Sequence, residues 1–209
     1  MLSFVRQAMR DLKNTGAMWP SGPQLAKVMT RSLRLADGPK RLLEVGPGTG
    51  AFTKAALKEL RPGDEFVIVE LSVAFCAELE KRLLRPYRAQ HPGVTVTLHC
   101  APIESAPVKG TFDFIVCGLP FNNFPPTFVR SIFRRLISLL SPDGELVYFE
   151  YAGVRAMKSP LVGKRGRRQL KQIGSITRAL RRRHAGDREL VLANFPPAMA
   201  MRLRAPGRR

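Results

Sequence analysis

This sequence predicts an α/β domain built on a doubly wound, seven-stranded sheet, and three observations carry the prediction. Apolar strand-like runs alternate with helical segments from Arg41 to Tyr151. A glycine loop, Glu44-Val45-Gly46-Pro47-Gly48-Thr49-Gly50, joins the first of these strands to the first of these helices. Two strand-like runs near the end of the chain, Arg188–Ala193 and Met199–Arg204, are separated only by Asn194-Phe195-Pro196-Pro197-Ala198. So short a connection allows an antiparallel hairpin but no helical crossover. The earlier strands, which alternate with helices, are expected to be parallel.

Taken in order, residues 2–14 place Phe4, Val5, Ala8, Met9 and Leu12 on one helical face, with Arg6, Arg10 and Lys13 largely outside it. That is a short basic amphipathic helix, which either lies in a membrane interface or docks on the domain. A turn-rich connector leads to Ser21 and Gly22, which can cap a helix with Pro23 near its first position. This helix runs to about Leu35, and residues 1–36 form an N-terminal helical extension and cap. The domain itself, residues 37–209, begins after Asp37-Gly38-Pro39. Strands are expected at Arg41–Val45, Glu65–Val69 (closing on Glu70), Val94–Cys100, Phe112–Cys117 and Glu145–Tyr151, and helices at Phe52–Leu60, Ala74–Leu84 and Pro126–Leu140. The fourth strand is apolar apart from Asp113, as a central parallel strand should be. Ser141-Pro142-Asp143-Gly144 reads as a turn. A basic insertion at about 155–186 interrupts the rhythm before the hairpin.

Charge is the strongest compositional signal. The chain has 35 basic and 16 acidic residues, a net charge of +19. Residues 155–209 alone hold 16 basic and 2 acidic residues. Such a concentration seeks a polyanion, either nucleic acid or an anionic lipid surface. Within it, Lys164-Arg165-Gly166-Arg167-Arg168 and Arg181-Arg182-Arg183 flank Leu170, Ile173, Ile176 and Leu180, a basic amphipathic helix interrupted by Gly174. The stretch lacks the interleaved aromatics that stack bases, which disfavours RNA. No apolar run reaches the ~18–20 residues that span a bilayer, and no signal-peptide pattern is expected at the N-terminus. Cys76, Cys100 and Cys117 have no metal-ligand spacing and read as reduced thiols in a cytoplasmic protein; no metal is expected.

Glycines at 46, 48 and 50, after a strand and before a helix, let the backbone approach a ligand closely. A dinucleotide site would want the pyrophosphate at the helix N-terminus, and Ala51 can be forced into its last slot. Glu44 argues otherwise, because a carboxylate at the mouth of the loop repels a pyrophosphate and suits a cation. Glu70, at the end of the second strand, can bind both hydroxyls of a ribose. Ligands of such sheets lie beyond the carboxyl ends of the strands. Ala101 and Ile103 there can sandwich a base; Glu104 either meets an exocyclic amine or starts a helix.

The pattern E-x-G-x-G-x-G resembles the first motif of class I S-adenosylmethionine-dependent methyltransferases, whose Rossmann-like sheet ends in an antiparallel hairpin. The segment Gly118-Leu119-Pro120-Phe121 resembles the N-L-P-F/Y tetrad of base-modifying amino methyltransferases, but Gly118 lacks the side chain that accepts from the amine. Together with the basic N-terminal helix, Thr15-Gly16-Ala17, Pro20-Ser21 and Tyr148 to Tyr151, the chain is similar to bacterial phospholipid and ornithine-lipid N-methyltransferases. The resemblance implies S-adenosyl-L-methionine as cofactor (S-adenosyl-L-homocysteine as product), contacted by Glu44, Gly46, Gly48, Thr49, Gly50, Glu70, Leu71, Ala101, Ile103, Cys117 and Ser21. It implies an aminolipid acceptor, phosphatidylethanolamine or ornithine lipid. The amine would be oriented by backbone at Gly118 and Leu119 and flanked by Tyr151. Trp19, Phe121, Tyr148, Arg155 and Lys158 would contact the substrate. Tyr148 and Tyr151 are three apart and cannot both face one side of a strand, so packing competes as a role for Tyr148. Aromatic faces tolerate the cationic methylated products. The expected protein is a monomer on the inner face of the bacterial cytoplasmic membrane, bound to anionic lipid. An RNA adenine N6-methyltransferase of the rRNA dimethylase type is the alternative.

Overall fold

A computed structural model describes residues 21–152, 163–184 and 186–205. The expected helix at 2–14, Trp19, Arg155 and Lys158 lie outside the described residues.

The chain enters through α1 (Pro23–Met29), with Gly22 at the cap position and Pro23 at its start. One helix to Leu35 was expected, but the turn breaks at Thr30 and resumes as α2 (Arg31–Leu35). The Thr30 hydroxyl donates to the carbonyl of Ala26 at 2.9 Å, a back-bond that bends a helix. Five strands then follow, with helices between all but β3 and β4: β1 (Arg41–Val45), α3 (Ala51–Leu57), β2 (Glu65–Glu70), α4 (Val73–Leu79), β3 (Thr95–Cys100), β4 (Phe112–Cys117), α6 (Pro126–Ser138) and β5 (Leu140–Tyr151). Between α4 and β3 the helix runs on through a π turn, Glu80–Leu84, into α5 (Arg85–Gln90). The sequence reading stopped it at Leu84. Pro86 falls at the start of α5, where a wider turn spares the amide that proline lacks.

The expected turn Ser141–Gly144 is a bulge within β5: Phe112 pairs with Leu140, and Phe114 with Glu145. After β5, α7 (Lys164–Arg183) precedes the hairpin β6 (Arg188–Val191) and β7 (Ala198–Arg204). The seven strands lie in the order β3-β2-β1-β4-β5-β7-β6. The first five are parallel, and β7 is antiparallel to both its neighbours. The order reverses between β1 and β4, so a crevice opens beyond their carboxyl ends.

Side-chain alternation divides the core into two layers. On one face Val45, Val69, Cys117 and Tyr148 pack beneath α6 and α7 through Ile132, Phe133 and Ile173. On the other, Leu42, Ile68 and Phe149 meet Leu25, Phe52 and Leu79 of α1, α3 and α4. Arg202, 3% exposed, fixes α1 to the hairpin. It donates to the Val28 carbonyl at 2.7 Å and meets Glu189 and Asp187 at 3.3 and 3.4 Å. The Gly22 amide donates to Asn194 Oδ1 at 2.8 Å, so the hairpin loop also holds the start of α1.

The helix α7 is continuous through Gly174, where an interruption was expected. A glycine costs a helix about 1 kcal/mol relative to alanine. Burial of Leu170, Ile173 and Ile176 against the domain outweighs that cost, at about 1.5–3 kcal/mol for each side chain buried. Its other face exposes Lys164, Arg167, Arg168, Lys171, Arg178, Arg182 and Arg183.

Candidate cofactor and methyl-acceptor site

The glycine loop sits at the crevice. The Gly46 amide donates to the Val69 carbonyl at 2.9 Å and the Gly118 amide to the Val45 carbonyl at 2.8 Å. Strand pairing therefore continues past the ends of β1 and β4 and presses the two turns together. A Cβ on Gly118 would collide with the Gly46 carbonyl oxygen and touch the Phe52 ring. A Cβ on Gly46 would lie 2.5 Å from Leu119 Cδ2. Gly48, at φ +56°, instead faces open space. The loop is closed below, against β4, and open above.

Two carboxylates flank it. Glu70, 1% exposed, accepts from the amides of Gly48 (3.1 Å) and Ser72 (2.8 Å). Glu44, also 1% exposed, accepts from the Thr53 hydroxyl through Oε2 at 2.8 Å. Its Oε1 is buried with no hydrogen-bond partner among the described residues. Burial pushes the Glu44 carboxyl up to about 8; Thr53 opposes this, and the charge of Glu70 adds to it. An unpartnered buried carboxylate oxygen is costly unless something arrives to satisfy it, and a cation answers best.

Beyond Glu70 the crevice opens into a cleft lined by Val45, Gly46, Val69, Leu71, Ala101, Pro102, Ile103, Glu104, Leu119, Phe124, Phe128 and Ile132. Apolar walls with a carboxylate at the mouth suit an adenosine, the base between aliphatic side chains and the ribose at Glu70. Expected contacts Gly46, Glu70, Leu71, Ala101 and Ile103 are brought together here. Glu104 lines the cleft from a turn, with the Ser105 and Ala106 amides bonded to the Pro102 carbonyl, so its helix-start role is not realised. Phe124, Phe128 and Ile132 are cleft residues outside the sequence-based set; Phe128 and Ile132, four apart, share one face of α6, and Phe124 comes from the turn before it.

Four expected contacts lie elsewhere in the structure. Cys117 does not line the cleft: alternation along β4 turns its side chain into the core, where burial pushes the thiol up to about 12. Ser21 lines a separate groove between α1 and α3, with Lys27, Thr30, Lys54 and Lys58. Tyr148 and Phe121 are core rings, 0% and 2% exposed; Tyr148 stands edge-on to Phe121 and Phe133, with centroids 5.9 and 5.0 Å away. They support the wall behind the crevice. Tyr151 is different. Half-buried at the end of β5, it stands edge-on to Phe149 at 5.2 Å, on the Glu44 face of the sheet, and burial holds its phenol above the ordinary range.

Comparison with known proteins agrees with this geometry. Residues 42–144, which include the glycine loop, match the family model described as "Methyltransferase domain". Half of the chain, with its glycine loop, is thus similar to that family, and its sheet has the class I methyltransferase-like fold. The ornithine lipid N-methyltransferase of Singulisphaera acidiphila is 30% identical over 132 residues, covering 60% of this chain and 64% of that protein. The chain thus aligns with less than two thirds of that relative's length.

Solved methyltransferases share the fold. The O-methyltransferase of Bacillus cereus, in complex with S-adenosyl-L-homocysteine, superposes at a TM-score of 0.64 with 14% identity, over 97% of this chain and 90% of its own. TomG of Streptomyces achromogenes, in complex with S-adenosylmethionine, gives 0.62 with 17% identity, over 98% and 89%. The N-methyltransferase NodS of Bradyrhizobium japonicum gives 0.58 with 16% identity, over 88% and 86%. The residues around the glycine loop fit S-adenosylmethionine. The buried, unpartnered Glu44 oxygen suits a cation, Glu70 suits a ribose, and the space above Gly48 leaves room for the chain between them.

Proposed function

We propose that this chain is a methyltransferase that transfers methyl groups from S-adenosylmethionine to the amine of an aminolipid, phosphatidylethanolamine or ornithine lipid, at an anionic membrane surface. The observation that carries the cofactor part is the buried Glu44 carboxylate, with one oxygen engaged and one free. The acceptor part is supported by the ornithine lipid N-methyltransferase relative and by the turn at Gly118. That turn has no room for the side chain with which base-modifying enzymes hold an amine.

When bound, the cofactor supplies an electrophilic methyl on a sulfonium; every other task falls to this chain. Ionised Glu44 balances the cationic end. Glu70 would hold the ribose hydroxyls. Backbone carbonyls at Gly118 and Leu119 accept from the incoming amine and aim its lone pair, and the Tyr151 ring at the end of β5 faces the ammonium that forms. The amine must arrive deprotonated, and desolvation with positioning supplies the rate. On this reading the exposed basic face of α7 rests on lipid headgroups. Among the described residues no helix is long and apolar enough to cross a membrane.

The test is transfer of label from methyl-labelled S-adenosylmethionine, with mixed vesicles and ribosomal RNA offered together. Label in N-methylated aminolipid is expected. Label in RNA alone would overturn the lipid acceptor and leave the cofactor reading intact.

A further inference from the structure

Thr53 has no part in the glycine motif, yet it is fully buried on the first turn of α3 and directly bonded to Glu44. We propose that Thr53 is the positioning residue of the cofactor site: it occupies one Glu44 oxygen so that the other stays free for the cationic end of the cofactor. The inference rests on the cofactor reading above and goes further, since it assigns the ionisation of Glu44 to a residue outside the motif.

The surroundings show why such a residue is needed. In the sheet, Glu44 is flanked by Ile68 on β2 and Val116 on β4, both apolar. Its charged neighbour among the described residues is Glu70, whose like charge opposes ionisation. Desolvation opposes it more strongly. Thr53 alone acts the other way, through its hydroxyl and, less strongly, its backbone amide. The hydroxyl also fixes the carboxylate plane. Without it the carboxyl takes a proton more readily and loses its orientation, while the fold keeps an isosteric side chain.

A proton-linked site follows. With burial raising its carboxyl to about 8, Glu44 on this proposal carries a proton near neutral pH until the cofactor binds. A bound cation favours the carboxylate, so binding expels about one proton near pH 7. Affinity rises with pH up to the free-state value of Glu44 and then levels off.

The experiment is calorimetric binding of S-adenosylmethionine and S-adenosylhomocysteine to wild type, Thr53→Val and Thr53→Ser. Each is measured from about pH 6 to 9 in buffers of differing ionisation heat, which reports protons released directly. The inference expects Thr53→Val to lose about tenfold or more in affinity at neutral pH, with its pH midpoint moved upward. Thr53→Ser should restore both. A Thr53→Val protein whose affinity falls equally at every pH, with an unmoved midpoint, would make Thr53 a packing residue and overturn the proposal. So would wild-type binding that releases no proton. Failure of the wild type to bind either compound would remove the cofactor reading itself, a result the wild-type titration alone identifies. Melting curves of the three proteins show whether the variants are folded.

Discussion

At Gly118 the missing side chain is a packing requirement. The carbonyl of Gly46 fills the place a Cβ would take, and the atom in the way is backbone, which cannot swing aside. Gly118→Ala should cost about 1–3 kcal/mol of stability through overpacking. It should also weaken S-adenosylhomocysteine binding, because the glycine loop is what must give. Melting and equilibrium binding measure the two effects. Glu44 makes a second residue-scale prediction. Its folded-state carboxyl is raised from an ordinary value of 4.5 to about 8. A raised value means that stability is fully present below about 4.5 and is lost as pH climbs to about 8. Without cofactor, wild type should therefore melt progressively lower across that window. Glu44→Gln should flatten the decline, and the difference between the two curves should be largest near pH 8. Identical pH profiles would show that Glu44 does not titrate as described. The sequence made Glu44 and Glu70 legible because their offsets from the glycines and the strand end carry chemical meaning. Thr53 was not, since a threonine on a first helical turn looks like any other. The side chain of Cys117 was misjudged because proximity to a strand end does not say which face it takes.

Among the elements, α7 divides most clearly into two faces. Its apolar face is docked: Ile173 is 0% exposed, and Gln169 Nε2 donates to the Phe124 carbonyl at 3.0 Å, beside the cofactor cleft. Ile173→Ala should cost about 2–5 kcal/mol, read from chemical denaturation. The basic face carries no acidic residue along Lys164–Arg183. Changing Lys171, Arg178 and Arg182 together to glutamate should abolish binding to anionic vesicles in sedimentation, since each cation near such a surface contributes about 1 kcal/mol. Cofactor affinity should stay as in wild type. Vesicle binding by the triple variant equal to wild type would remove α7 as the membrane face. The continuity of α7 escaped sequence analysis because propensity weighs Gly174 locally, whereas the docking of Leu170, Ile173 and Ile176 is tertiary. Thr30 misled in the opposite sense: helical spacing continued through it, and only the back-bond to Ala26 breaks the turn.

At the scale of the molecule, the topology was legible because its cues are covalent and short-range. Strand–helix alternation enforces parallel strands, and the five residues between the last two strand-like runs enforce a hairpin. That topology brings β1 and β4 side by side and so creates the crevice. What periodicity could not supply is the cleft wall. Phe124, Phe128 and Ile132 come from a turn and a helix whose approach to Leu71 and Ile103 is set by packing across the sheet. The charge pattern falls into place on the same scale: the basic excess of residues 155–209 is borne largely by α7, next to the wall of the cofactor site. Methyl transfer to an aminolipid is measured by mass spectrometry of lipids from a host making both phosphatidylethanolamine and ornithine lipid. With the wild-type chain expressed, one of these lipids should gain successive methylene masses on its amine, and the Glu44→Ala variant should produce none. Unmodified aminolipids beside a wild-type protein that is folded and binds S-adenosylmethionine would contradict that transfer.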